Sequence, residues 1–178
     1  MRTVGRRCNS GLPPGKLEGT FRFACFLTGK ILFSELSLPV DLANTMDPKV
    51  AQLTSRMDRR PRTSAEDLRT IFSYLNFEPP VDYVEFMSET NGSEGPIGDS
   101  AYLAIYSAQE LLDCNGQTME LEPGILFFAT DRGGTGYAFE LDRRPTGIVA
   151  VEFADLDRAS ARAMGRSLLE FLQALSTS

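Results

Sequence analysis

The chain contains no histidine and no tryptophan, and no lysine lies beyond Lys49. Without histidine, a Ser-His-Asp triad, a Cys-His pair, a histidine-based zinc site and a histidine general base are all excluded. The three cysteines, Cys8, Cys25 and Cys114, are far apart, odd in number and form no CxxC pair. Reduced thiols in a cytoplasmic protein are the expectation. Long apolar runs are missing too, so no membrane-spanning helix is expected. The nearest, Phe21 to Phe33, is interrupted by Gly29 and Lys30 and lacks a clean small-residue cleavage site, so it is not read as a secretory signal.

What is present suits one domain with a real core and a tail: 178 residues of average apolar content. Charge is unevenly placed. Residues 1–62 hold eleven Lys/Arg against five Asp/Glu, a balance of +6, while residues 63–178 hold seven against nineteen, a balance of −12. The second part is acidic enough to repel nucleic acid and to favour a basic partner. The plainer reading is the ordinary acidic surface of a soluble domain.

Residues 1–62 read as a flexible or loosely attached tail. They hold turn-rich "NSGLPPGKLEG", one aperiodic apolar patch and the basic joint "SRMDRRPR". An alternative start at Met46 or Met57 would account for the change in charge; intact mass of natively expressed protein tests it. The ordered pattern begins at Thr63, in capping-box spacing with Glu66, followed by Leu68, Ile71, Phe72 and Leu75 at helical spacing. Pro79-Pro80 breaks that helix. A second helix, "VDYVEFMSETNG", follows and ends at Asn91-Gly92, which tolerate the left-handed conformation. Ala101 to Tyr106 reads as a strand, with Tyr102 and Tyr106 on one face and Leu103 and Ile105 on the other. Ser107 and Glu110 form a capping box for a short helix stopping at Asn115-Gly116. Three strand-like runs follow, Ile125–Thr130, Gly136–Leu141 and Gly147–Phe153, and the last two alternate like half-buried antiparallel strands. Their connections are hairpin-sized. A final helix from about Ser160 to Leu175 carries Met164, Leu168, Phe171, Leu172 and Leu175. The expected fold is α+β: an antiparallel sheet of about four strands with helices packed on it, over residues 63–178.

The run Asp131-Arg132-Gly133-Gly134-Thr135-Gly136 resembles a phosphate-binding loop at first sight. A P-loop needs a lysine and a following helix, whose N-terminus and loop amides hold the anion. Here a strand follows, so the glycines are read as a hairpin turn with positive φ. The carboxylate pairs Glu94/Asp99 and Asp155/Asp157 sit in polar, turn-rich surroundings, and solvated loop charge is the plain reading. Outward-facing tyrosines at 102 and 106 would make interface anchors.

Taken in order, "PPVDYVEFMSETNGSEG", "YLAIYSAQELLDCN", "GILFFATDRGGTGYAFEL", "GIVAVEF" and "SLLEFLQAL" resemble the SUKH superfamily, which holds the fungal Smi/Knr cell-wall regulators and many bacterial immunity proteins. The resemblance covers residues 63–175 and preserves the order of the elements. Departures are Pro79-Pro80-Val81 where Leu-Pro is usual, the absent tryptophan, and Arg132 where small or acidic residues are frequent. The resemblance implies a protein-binding module without catalysis or cofactor and with neither nucleic acid nor membrane as partner. Its partner would be a cognate toxin with a basic surface, such as a nuclease. A regulatory or scaffold protein of the same fold is the alternative. The residues it points to for partner binding are Glu94 and Asp99 in the loop after the second helix, Tyr102 on the next strand, and Asp131 and Arg132 at the hairpin tip.

Overall fold

Local signals account for most of the helices. The computed structural model describes residues 45–116, 124–154 and 158–177. Residues 1–44, with Cys8 and Cys25, lie outside that set, as do Asp155 and Asp157. Helix α2 (Ala65–Tyr74) is capped by Ser64, whose hydroxyl accepts the Asp67 N–H at 3.0 Å, one residue later than Thr63 was expected to act. Helix α3 (Val81–Thr90) begins after Pro80 and stops where Asn91 turns left-handed at φ 45°. Helix α4 (Ala108–Asn115) has the expected capping box between Ser107 and Glu110.

The sheet is wider than expected. Seven antiparallel strands pair in strict chain order: β1 (Asp58–Arg59), β2 (Ser93–Ile97), β3 (Ala101–Ile105), β4 (Ile125–Thr130), β5 (Thr135–Glu140), β6 (Ile148–Glu152) and β7 (Arg162–Gly165). Three of these were not foreseen. Strand β2 contains Gly95 and Pro96, which read as loop; Pro96 is tolerated because β1 reaches only Ser93 and Glu94, leaving β2 an edge strand there. Strand β7 lies inside what looked like the start of the last helix. Gly165 at φ 147° interrupts that helix, and Ser167 caps a shorter one, α5 (Leu168–Ser176), by accepting the Glu170 N–H at 3.1 Å. Met164 keeps its place in the core from a strand instead.

Of the stretch before Thr63 that was read as a tail, the described part begins at residue 45. Residues 46–59 are folded onto the domain. Asp47 caps helix α1 (Pro48–Leu53), Val50 is fully buried, and β1 extends the sheet. Met46 and Met57 are buried as well. One buried residue in a six-residue helix leaves no periodicity to read.

One face of the sheet carries the main core. Val50, Leu68, Phe72, Phe86, Phe171 and Leu172 from the helices meet Leu103, Phe128 and Phe139 from the strands. Its centre is aromatic, with ring centroids 4.3 Å apart for Phe128 and Phe139 and 5.0 Å for Tyr83 and Phe139. Burial among these rings pushes the Tyr83 hydroxyl far above the usual phenol range. The opposite face is buried too: Ile125, Phe127, Ala138, Val149 and Val151 form a second cluster, with Tyr106 and Ala161 against it. Strands β4 to β6 are therefore covered on both sides. The alternation in β5 and β6 sorts residues between two apolar layers instead of between core and water. Tyr137 and Phe139 face one layer, paired with Ala150 and Ile148, while Val149 and Val151 face the other. A bulge at Phe128 turns Phe128 and Ala129 to the same side.

Candidate partner-binding surface

The β4–β5 tip is built by one carboxylate. Asp131 Oδ1 accepts the N–H groups of Gly133, Gly134 and Thr135 at 2.7, 3.0 and 2.9 Å. The cluster of amides that could have held a phosphate is filled by the chain's own side chain. The turn's left-handed residue is Arg132, at φ 57°, and Gly134 sits at φ 129°; Gly133 is not at positive φ, contrary to expectation. Thr130 Oγ1 accepts the Arg132 N–H at 3.0 Å and donates to the Thr135 carbonyl at 2.9 Å. Arg132 is thereby held in a conformation that costs a non-glycine residue energy, with its side chain projecting outward. Partial burial works against ionisation of Asp131, but the three backbone donors outweigh it and hold the carboxyl below its ordinary range.

Strands β2 and β3 bring the tip its neighbours. Pairing Glu94 with Ala104 and Pro96 with Tyr102 puts Glu94 and Tyr102 diagonally on the outer face. Glu94 Oε1 accepts the Tyr102 hydroxyl at 2.7 Å, and Glu94 Oε2 is ion-paired with Arg132. Arg60, just beyond β1, approaches Glu94 at 4.0 Å and pairs with Glu110. Glu110 Oε2 also accepts the Ser107 N–H at 2.8 Å and its hydroxyl at 3.0 Å, so the capping box of α4 joins the same network. Burial opposes the charge on Glu94, yet Arg132 and Tyr102 hold its carboxyl below the usual range. Glu110 behaves alike, with the Ser107 N–H and Arg60 overcoming burial. Tyr102 is raised by its bond to Glu94 and remains a donor. At neutral pH this network offers fixed charges and hydrogen bonds, not a group poised to exchange protons.

On the other side of the tip, the Thr135 hydroxyl donates to Glu152 at 3.1 Å. Phe153, 43% exposed, leans on Phe127 with centroids 5.3 Å apart. Tyr102 is 41% exposed, so an aromatic flanks the tip on each side. Of the five residues expected at a partner surface, Glu94, Tyr102 and Arg132 come together. Asp131 lies at the same tip but faces inward to the turn amides. Asp99 is elsewhere, in the β2–β3 turn at the far end of that hairpin, and Glu94 sits on β2, not in a loop. Arg60, Glu110, Glu152 and Phe153 were missed. Glu110 had already been explained as a cap, and Arg60 fell in the supposed tail.

A carboxyl whose folded pKa is lowered stabilises the fold above its unfolded value, about pH 4, and that contribution is lost as pH falls through the folded value. Asp131, Glu94 and Glu110 all have this sign. Stability is therefore expected to drop as pH goes below about 4, and Asp131→Asn to show a shallower drop. Urea unfolding at neutral and acid pH checks this; identical pH profiles would mean that the charge on Asp131 is not what holds the tip.

Among the described residues, no group of three or more Cys, Asp or Glu side chains could hold a metal, and no helix is long and apolar enough to cross a membrane. No curated protein matches the chain. Residues 62–174 match the sequence model of the SMI1/KNR4 family (SUKH-1), and the chain belongs to that family of protein-binding immunity and regulatory modules.

Proposed function

We propose that this chain is a cytoplasmic immunity protein, a non-catalytic module that binds a cognate toxin and blocks its basic working surface. The observation that carries this reading is the pre-organised surface around the hairpin tip. Tyr102, Arg132 and Phe153 are of the residue types that dominate interface energetics. Glu94 and Asp131 restrain Arg132 before any partner arrives, which lowers the entropy lost on binding. The balance of −12 over residues 63–178 would draw in a basic cleft such as that of a nuclease and speed association. In this reading Asp99, at the other end of the β2–β3 hairpin, takes no part, and Asp131 acts by shaping the turn.

The test is co-expression with a toxin encoded beside this gene. Cells are expected to survive with the wild-type chain. Glu94→Arg, which removes the carboxylate that would face a basic partner and sets a second guanidinium beside Arg132, is expected to weaken toxin binding ~30-fold or more and to abolish protection. Cells that die as fast with the wild-type chain as without it would sink the toxin reading and leave a regulatory role of the same surface. Toxin binding unchanged in Glu94→Arg would move the interface elsewhere.

A further inference from the structure

The arginines of this acidic domain are not spread evenly. Residues 63–178 contain seven arginines and no lysine, and Arg143, Arg144, Arg158 and Arg166 gather at the end of the sheet away from the hairpin tip. Strand β5 runs between the two ends, six residues or about 20 Å. At its far end a cleft of about 260 Å³ opens between the β5–β6 connection and the last residues of β7. Arg143, Arg144 and Arg166 line it, over Glu140 and Ile148.

The charges in this cleft do not cancel. Glu140 is only 5% exposed, and its carboxylate is matched by Arg143 at 3.2 Å and Arg158 at 3.6 Å. Arg158 is in turn held by Asp142, whose carboxyl this pairing keeps below its usual range. Arg144 donates to the carbonyls of Leu141 and Arg143 at 3.2 and 3.1 Å, which orients its guanidinium and leaves its charge uncompensated. Arg166 forms no ion pair among the described residues, and its side chain is exposed. Among the described residues, two guanidinium groups without an ion pair thus stand over a hollow in which the Glu140 carboxylate is already paired.

We infer that this cleft binds the carboxylate side chains of an acidic peptide segment from a protein partner. Guanidinium forks match carboxylates bidentately, and a hollow of this size holds one or two such side chains. It is smaller than the ~300 Å³ at which sites for whole small-molecule ligands begin. The field of the surrounding domain, at −12 over residues 63–178, works against polyanions such as nucleic acid or an anionic membrane, whereas a short acidic segment places its charge only where the arginines are. This second surface is independent of the tip, so one domain can engage a basic and an acidic partner at opposite ends.

The experiment measures anisotropy of a fluorescein-labelled octapeptide carrying two adjacent glutamates among neutral residues, with the full chain at low salt. Saturable binding is expected, weakened at least tenfold in Arg144→Glu/Arg166→Glu and unchanged in Arg132→Glu. Absence of saturable binding, or binding that survives the double substitution, overturns the inference, as does equal weakening by Arg132→Glu. Competition by inorganic phosphate at the peptide's own concentration would make this a simple anion site and overturn the peptide assignment. Salt-sensitive self-association in sedimentation, lost in the double variant, would assign the cleft to a second copy of the chain instead. The substituted arginines are exposed, and thermal unfolding of the double variant confirms that it is folded.

Discussion

Asn115→Ala is expected to destabilise the domain by about 3 kcal/mol, a large part of the 5–15 kcal/mol that holds a typical domain together. Asn115 is fully buried at the end of α4. Its amide donates to the carbonyls of Phe127 at 2.7 Å and Leu111 at 2.8 Å, and its Oδ1 accepts the Phe127 N–H at 2.8 Å. It stands in for a neighbouring strand at the point where β3 and β4 have stopped pairing, since their ladder joins only Ala104 with Thr130 and Ile105 with Ala129. Alanine would leave both main-chain groups of Phe127 buried without partners, each costing about 1–3 kcal/mol. The bulge beside Phe127, which sets the facing of Phe128 and Ala129, would lose its anchor. Urea unfolding measures the effect. A loss below about 1 kcal/mol would show that Phe127 finds other partners and that α4 does not hold this strand.

The second large effect is expected at Gly92. Gly92→Ala should cost about 3 kcal/mol or more, by strain and by collision. The residue has φ +84°, and a Cβ there would fall 2.7 Å from the Ile105 carbonyl oxygen and 2.8 Å from the Tyr106 carbonyl carbon and oxygen. All three are backbone atoms, so no side chain can swing aside; β3 or the end of α3 would have to move. Asn91 tightens the same junction by accepting the Ala108 N–H at 3.0 Å, tying the end of α3 to the start of α4. Gly116 is the control. Its backbone is helical at φ −53°, and an added Cβ would meet only the Leu112 carbonyl oxygen at an ordinary 3.6 Å. Gly116→Ala is expected to be neutral or to gain a few tenths of a kcal/mol. Equal losses at the two positions in thermal unfolding would refute this account of Gly92.

These two sites share a dipeptide. Asn91-Gly92 and Asn115-Gly116 look alike in the sequence, and both mark helix ends, as expected. In the first the glycine is indispensable because another chain segment crosses it. In the second the asparagine matters because its amide completes a sheet edge. Nothing within a few residues of either distinguishes them; what does is the passage of β3 and β4, from ten or more residues away.

The same division runs through the candidate surface. The Ser107–Glu110 capping box, the breaks at Pro79-Pro80 and Asn91-Gly92, the hairpin at Asp131-Arg132-Gly133-Gly134 and the family itself were legible, because each depends on hydrogen bonds or periodicity within a few successive residues. That Tyr102 points away from Leu103 and Ile105 was legible for the same reason. The short elements α1, β1, β2 and β7 were not, since two to six residues carry too little pattern and take their conformation from the partner they pair or pack with. Nor could alternation in β5 and β6 show that both faces are covered. The chain alone thus determined an acidic α+β module without histidine chemistry, with Glu94, Asp99, Tyr102, Asp131 and Arg132 as candidates. Only tertiary structure decided that Glu94, Tyr102 and Arg132 meet while Asp99 stays apart, and that Asp131 fills the turn it resembled as a phosphate cradle. Those outcomes depend on strand register and on which backbone groups remain unpaired after the sheet has formed, and both are properties of the assembled sheet.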